Sequence, residues 1–378
     1  MRRDEEVNYE EFRKSVRRLA RARVAPHAAA VDAEGRPPVE ALAASLELGL
    51  PGLPFPERLG GSDGDLFAQV IATEELARVC AATSLTVASG WVLAGLVRYG
   101  SEALQELVIP PVSSGQMHAA WGLTEPAGGS NLMGARTHAR RRGDRWILNG
   151  TKRFITNGGW ADWYLIFART GEQQFGIFMV HRDDPGIRFG RSERKMGMRG
   201  SPTADVILED CSIPAMRCMG DPGQGGTYIT EMLHDSRLTI GAHALGIAQG
   251  ALDEALKYTE TRKQFDQPIA KFQMIRGMVA DMALKVESAR AVLYQATEYR
   301  LRNHPRARLF ASMAKVLCSD AAMAVTTDAV QLHGGYGYLE DYPVERMMRD
   351  AKVTQIWEGT NQIQRLLIAK EVYSDGGA

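Results

Sequence analysis

The stretch Trp146-Ile-Leu-Asn-Gly-Thr-Lys152 decides how the chain divides. Its apolar start reads as a strand, and Asn149-Gly150 reads as the turn that the strand enters. Three further short runs share this character: Tyr164-Leu-Ile-Phe-Ala168, Gly176-Ile-Phe-Met-Val180 and Ala204-Asp-Val-Ile-Leu208. Each is apolar or alternating, and each is bounded by Gly, Asp or Pro. The pattern predicts an antiparallel β domain over residues 118–226.

Helical spacing takes over on both sides. Upstream, from Tyr9 to about Gln116, Leu42, Leu46 and Leu50 recur at helical intervals. Gly/Pro punctuation follows over 51–64, then helical stretches over 66–82 and 85–99. Downstream of the Gly-rich segment 220–226, Leu245, Ala248, Leu252, Ala255, Leu256 and Thr259 mark one helix. Met274, Met278, Met282, Val286, Ala289, Val292 and Leu293 mark the next, and this Met stripe reads as core filler. The predicted fold class is α+β: an N-terminal helical domain over 1–117, the β domain over 118–226, and a C-terminal helical bundle over 227–378.

Composition narrows the function. Lys plus Arg equals Asp plus Glu at 45 each in 378 residues, so a general nucleic-acid binder is excluded. One local basic pocket for an anion is not. Cys80, Cys211, Cys218 and Cys318 form no C-x-x-C pair, which points to inert thiols in a reducing compartment. Neither G-x-G-x-x-G, nor a phosphate-binding G-x-x-x-x-G-K-[ST], nor H-E-x-x-H occurs. No metal is expected, and any dinucleotide is held without the usual strand–glycine–helix turn. The N-terminus is charged at Arg2, Arg3, Asp4, Glu5 and Glu6, and no run approaches the roughly 18 apolar residues of a membrane span. A cytoplasmic protein is expected.

The segment Gln355-Ile-Trp-Glu-Gly-Thr-Asn-Gln-Ile-Gln-Arg365 carries the clearest chemistry. Glu358 adjoins bulky Trp357, Gly359 permits a tight bend, and Thr360 can cap a helix over 362–372. A carboxylate against an indole is partly desolvated, which raises its pKa toward general-base use. A surface Glu favoured by a helix N-terminus is the competing reading.

This segment resembles the catalytic loop of the acyl-CoA dehydrogenase family. So do Gln331-Leu-His-Gly-Gly-Tyr-Gly-Tyr338, Tyr342-Pro-Val-Glu-Arg346, Arg349-Asp-Ala-Lys352, Leu123-Thr-Glu-Pro-Ala-Gly-Gly-Ser130, Lys152-Arg-Phe-Ile-Thr-Asn-Gly158, Met198-Arg-Gly-Ser-Pro-Thr203 and Arg262-Lys-Gln-Phe-Asp-Gln-Pro-Ile269, in family order over nearly the whole chain. The resemblance implies FAD as cofactor and Glu358 as the base that takes the α-proton of an acyl thioester. The β-hydrogen then leaves as hydride to the flavin. It implies that the base's own N–H and a flavin hydroxyl hold the thioester oxygen. Leu123 and Thr124 match positions at the flavin ring, with Phe154 and Thr156 at its other edge. Ser130 matches a position at the pyrophosphate or the carrier arm of the substrate. Arg262 and Phe265, and separately Gln331, Gly334 and Gly335, match contacts to the FAD of a neighbouring subunit. Thr360 and Gln362 match a cofactor contact at a helix N-terminus. Arg237, Trp357 and Gly359 match positions beside the substrate. Ser236 stands where the branched-chain isovaleryl subgroup carries its base, so Glu358 implies the straight-chain arrangement.

Several positions depart from the family pattern: Asn131 for Asp, Asp266 for Gly, Trp357 for Tyr, and His234 where an Asp is frequent. Trp91 falls where the acyl pocket or plain helix packing would place it. The expected function is FAD-dependent α,β-dehydrogenation of an acyl-CoA or acyl-carrier-protein thioester in fatty-acid or acyl-thioester metabolism. Electron-transferring flavoprotein is the implied acceptor and a homotetramer the implied assembly. A flavin oxidase of a non-thioester substrate, or a non-catalytic flavin protein, is the alternative.

Overall fold

The N-terminal helices begin where side chains can cap them. In the computed structural model, which describes residues 8–375, Asn8 accepts from the Glu11 N–H at 3.1 Å and opens α1 (Tyr9–Leu19). The charged opening Arg2–Glu6 lies outside the described residues. Glu10 and Glu11 fill the first turn of α1 and Arg17 and Arg18 the last, as the helix dipole favours. α2 (Ala28–Glu34) and α3 (Val39–Ser45) follow. Asp65 then caps α4 (Leu66–Ala77) by accepting from Ala68 N–H at 2.9 Å. α4 is apolar and buried nearly all round, yet it carries Glu74 and Glu75. Arg13 and Arg17 of α1 reach Glu75 at 2.7 and 2.8 Å, and Glu74 accepts from Arg13 and Arg290, so these charges enter the core already paired.

The expected helix over 66–82 breaks after α4 and resumes as α5 (Ala81–Ala88). The expected helix over 85–99 is interrupted by a 3₁₀ segment, Ser89–Leu93, before α6 (Ala94–Tyr99) and α7 (Glu102–Ser113). Small Ala, Thr and Ser residues are buried on every side here, so periodicity gave no warning of the breaks. Trp91 packs rather than lines a cavity; its indole N–H donates to Leu50 O at 2.9 Å.

The β domain holds β1 (Ala119–Gly122), β2 (His138–Arg142), β3 (Arg145–Thr156), β4 (Trp163–Arg169), β5 (Phe175–His181), β6 (Ile187–Phe189) and β7 (Thr203–Pro214). The strand order is β1-β4-β2-β3-β7-β6, with β5 on β4. Most pairs are antiparallel, but β4 takes both β1 and β2 parallel, with Ala119 opposite Trp163 and His138 opposite Arg169. The sheet is therefore mixed, and the long 123–162 connection makes that crossover possible.

Asn149-Gly150 is not a turn. β3 runs straight through it, and the register against β7 shifts between Leu148 and Gly150, where Glu209 and Asp210 face the single residue Asn149. Asn149 Nδ2 donates to Asp210 Oδ1 at 3.0 Å, and Asp210 N–H returns a bond to Asn149 Oδ1 at 2.8 Å. Gly150 lies at φ +147°, and a Cβ there would come within 2.7 Å of Thr137 Cα. The chemistry that makes Asn-Gly a good turn serves a β-bulge instead.

Three long helices and two shorter ones complete the chain's second helical layer. α8 (Gly225–Thr261), α9 (Gln273–Leu301), α10 (Ala307–His333), α11 (Pro343–Thr354) and α12 (Asn361–Asp375) pack on one another and on α4. Gly246 and Gly250 let α8 touch α4, since a Cβ would meet Glu74 O at 2.3 Å and Arg78 O at 2.1 Å. Of the Met stripe, Met282 is fully buried and Met278 packs on the core, whereas Met274 is 84% exposed. α11 fastens the layers together. Arg349 donates to Asp32 of α2 at 2.6 Å, and the buried Asp350 accepts from Met198 N–H at 2.5 Å, its carboxyl pushed up to about 6 by burial. Two stretches, 81–99 and 307–338, are long and apolar enough to cross a membrane by composition, and two-thirds of each is buried inside the fold.

Gly150→Ala should destabilise the protein by at least about 1–3 kcal/mol, the cost of a side chain at a glycine-only backbone geometry. The urea midpoint measures it. An unchanged midpoint would show that the bulge relaxes freely.

Candidate active site

The loop between α11 and α12 owes its shape to two consecutive left-handed residues, Glu358 at φ +52° and Gly359 at φ +87°. Asn361 N–H closes it by donating to Gln355 O at 3.0 Å, and Thr360 Oγ accepts from Ile363 N–H at 3.3 Å to cap α12. Gln364 Nε2 donates to Glu358 O at 3.1 Å and Gly359 O at 3.3 Å. A left-handed glutamate is costly for an L-residue, so these bonds hold a conformation the backbone would leave.

The Glu358 carboxylate accepts from Ser236 Oγ of α8 at 2.7 Å. Burial pushes its pKa up, against the Ser236 hydrogen bond and the charges of Arg237 and Lys315. The net direction is upward, toward a group able to take and release a proton. Neither cation forms an ion pair with it among the described residues. Arg237 is buried and donates to His234 Nδ1 at 3.2 Å, while its Nε has no partner. Burial and then Arg237 hold His234 down at about 4, so its imidazole is neutral and accepts through Nδ1. Trp357 lies edge-to-face with buried His243, ring centres 5.6 Å apart.

A second set of residues meets where β1 ends and β3 bulges. Arg153 and Phe154 face the single residue Asp205 of β7, and Phe154 takes φ +57°. The bulge turns the Phe154 ring outward, 58% exposed, which excludes a core role for it. Arg153 N–H donates to Thr124 O at 2.7 Å, bringing Leu123 and Thr124 beside Phe154 and Thr156. Sequence patterns alone missed what fixes this edge. Fully buried Lys152 donates to Leu123 O at 3.1 Å and pairs with Glu125 at 2.7 Å. Glu125 also accepts from the N–H groups of Arg136 and Thr137, at 2.6 and 2.9 Å. Burial alone would raise Glu125; the Lys152 charge and these donors overcome it and hold it at about 2. The motifs containing Glu125 and Lys152 were visible, but their pairing was not.

A third set lines a groove of about 430 Å³ at the end of α10, where Arg262, Gln331, Gly334 and Gly335 meet Tyr258 and Tyr336. The Arg262 guanidinium lies 5.4 Å from the Tyr336 ring centre. Gly334 ends α10 at φ +61°, and both glycines face open space. Phe265 stands apart from this groove, 86% exposed at the tip of a two-stranded hairpin, with Asp266 left-handed at φ +62° in the position where a glycine was expected. Ser130 is exposed on the 123–137 loop, and Gln362 lies in the first turn of α12.

Helices flank a bulged sheet, and a desolvated glutamate sits on an interhelical loop: an α+β architecture with a candidate proton acceptor. Residues 6–116, 120–211 and 223–373 match, in turn, the N-terminal, middle and C-terminal domains of acyl-CoA dehydrogenases. The chain is 47% identical over 367 residues to a probable acyl-CoA dehydrogenase, fadE25, of Mycobacterium tuberculosis, covering 96% of this chain and 94% of that one. It is 44% identical over 368 residues to cyclohexane-1-carbonyl-CoA dehydrogenase of Geobacter metallireducens, covering 96% of each. Butyryl-CoA dehydrogenase from Megasphaera elsdenii superposes with a TM-score of 0.93 at 36% identity, over 99% of this chain and 100% of that one. The chain belongs to the acyl-CoA dehydrogenase family, flavoprotein oxidoreductases acting on CH–CH bonds.

Glu125→Gln strands the Lys152 ammonium in the core and should cost about 3–5 kcal/mol near neutral pH. Glu125 is depressed in the folded state, so its stabilisation is full above its ordinary 4.5 and fades as pH falls toward 2. Urea midpoints of parent and variant should therefore differ widely at neutrality and converge in acid. Equal midpoints at neutral pH would mean that the pair is not what holds this edge.

Proposed function

We propose that the chain binds FAD and converts an acyl thioester to its 2-enoyl thioester, with Glu358 as the base. The observation that carries this reading is the geometry of Glu358: desolvated, hydrogen-bonded by Ser236, and held in a left-handed loop. FAD, when bound, supplies the acceptor for the β-hydrogen as hydride. The chain's residues do the rest. Glu358 takes the α-proton and becomes neutral, at which point Ser236, a hydroxyl that can donate or accept, reorients without losing its partner. The Glu358 N–H is the donor proposed for the thioester oxygen, where negative charge develops. Buried Arg237 favours negative charge in the same region.

The residues fit the cofactor. The outward Phe154 ring offers a flat apolar contact for a flavin edge, and Thr124, tied by its carbonyl to Arg153 N–H, and Thr156, two residues on, are proposed as its polar partners. The Arg262–Gln331–Gly334–Gly335 groove combines a cation with backbone that no side chain shields, which suits a pyrophosphate. Ser130, Phe265, Thr360 and Gln362 are proposed as further contacts. Assigning the groove to the FAD of a second copy makes the active unit a homo-oligomer, proposed as a tetramer. Electron-transferring flavoprotein is proposed as the acceptor. Two similar proteins named for acyl-CoA substrates support the thioester class.

The purified protein should be yellow, with one FAD per chain, and Arg262→Ala should release FAD at urea concentrations that leave the fold intact. A folded protein that stays colourless with added FAD would end this reading. Glu358→Gln should slow anaerobic flavin reduction by about 10²–10⁴-fold while thioester binding survives. Stopped-flow bleaching with butyryl-CoA, or another acyl-CoA the parent accepts, measures it; near-parental reduction would mean that the base lies elsewhere.

A further inference from the structure

Lys315 stands in the middle of α10 with no solvent exposure at all. A buried ammonium needs partners. Its Nζ donates to Gly359 O at 2.9 Å and to Asn361 Oδ1 at 2.8 Å, the residues that follow Glu358 on the loop and begin α12. Asn361 is itself fixed: its Nδ2 donates to Ser319 Oγ and to Asp320 Oδ1, both at 2.8 Å. Residues 315, 319 and 320 thus bring one face of α10 to the loop. No carboxylate forms an ion pair with Lys315 among the described residues, so its charge is balanced only by dipoles and by anions farther off. Those anions are Glu358 on the loop and Asp320 on α10, opposed by Arg237 on α8 and Arg365 on α12. Glu358 in turn is the anion on which this charge acts.

We infer that Lys315 is a positioning residue for the base: its ammonium locks the left-handed loop through Gly359 O and supplies the positive field that keeps Glu358 ionised between turnovers. The inference rests on Glu358 being the base. It explains why a lysine is buried where a neutral residue could have filled the volume. A hydrogen-bond donor alone would satisfy Gly359 O, but only a cation lowers the affinity of Glu358 for its proton.

Burial drags Lys315 down to about 8, so its ammonium is present at neutral pH and declines in mild alkali. The field is therefore present throughout the acid and neutral range.

The test is the pH profile of anaerobic flavin reduction in the FAD-loaded enzyme, with butyryl-CoA or another acyl-CoA the parent accepts. Lys315→Met removes donor and charge. Lys315→Gln keeps a donor for Gly359 O without the charge, and it serves if the Met variant does not fold. Both should move the acid-side midpoint upward by about one unit, the effect of losing a nearby opposite charge. Lys315→Arg should restore the parental midpoint. A non-oxidisable thioether analogue of the substrate should still bind all three. Lys315→Gln with a lowered rate at every pH and an unmoved midpoint would overturn the electrostatic role and leave only scaffolding. Glu358→Gln, run beside them, separates the two levels. If it reduces flavin normally, the base assignment fails; if it is slow and the Lys315 midpoints stay put, only this inference fails.

Discussion

Taking a carboxylate out of water is costly, and the architecture around Glu358 is organised by that cost. One hydroxyl from α8 touches the carboxylate, and two buried cations act on it without pairing to it. A direct ion pair would have pinned its proton affinity low, whereas here the net direction is upward. The long helices α8 and α10 are what make this possible, because each delivers its group to the loop from a rigid, close-packed scaffold.

The loop is also tied to the rest of the molecule through α11. That helix ends at Thr354, a few residues before Glu358, and its Arg349 and Asp350 are bonded to α2 and to the 195–201 segment of the β domain. Gly197 lies so close to Arg349 that a Cβ would come within 2.4 Å of its carbonyl. All three layers therefore meet on the element that sets the position of the loop.

The order of helices, sheet and helices was legible because hydrophobic period changes from helical to strand-like and back. Part of the loop's local chemistry was legible too: Gly359 stands at a left-handed bend and Thr360 caps α12, while the Trp357 indole packs on His243. What failed were features decided at a distance. Asn149-Gly150 carries a turn signal, but Asp210, 61 residues away, converts it to a bulge. Ser236 reaches Glu358 across 122 residues and Lys315 reaches Gly359 across 44, and no local pattern encodes either contact. Glu125 and Lys152 stood in separate motifs, and only the sheet joined them.

The 2.7 Å contact between Ser236 and Glu358 has an evolutionary side. Two positions remote in sequence look onto the same few cubic ångströms. A carboxylate grown from α8 at position 236 could therefore occupy nearly the same place as one hung from the loop. With the acid moved to the helix, position 358 would be free to become glycine, and the left-handed backbone there would no longer be strained. On the proposal that Glu358 is the base, the fold offers two mounts for one acid, in line with the isovaleryl subgroup whose base position 236 matches.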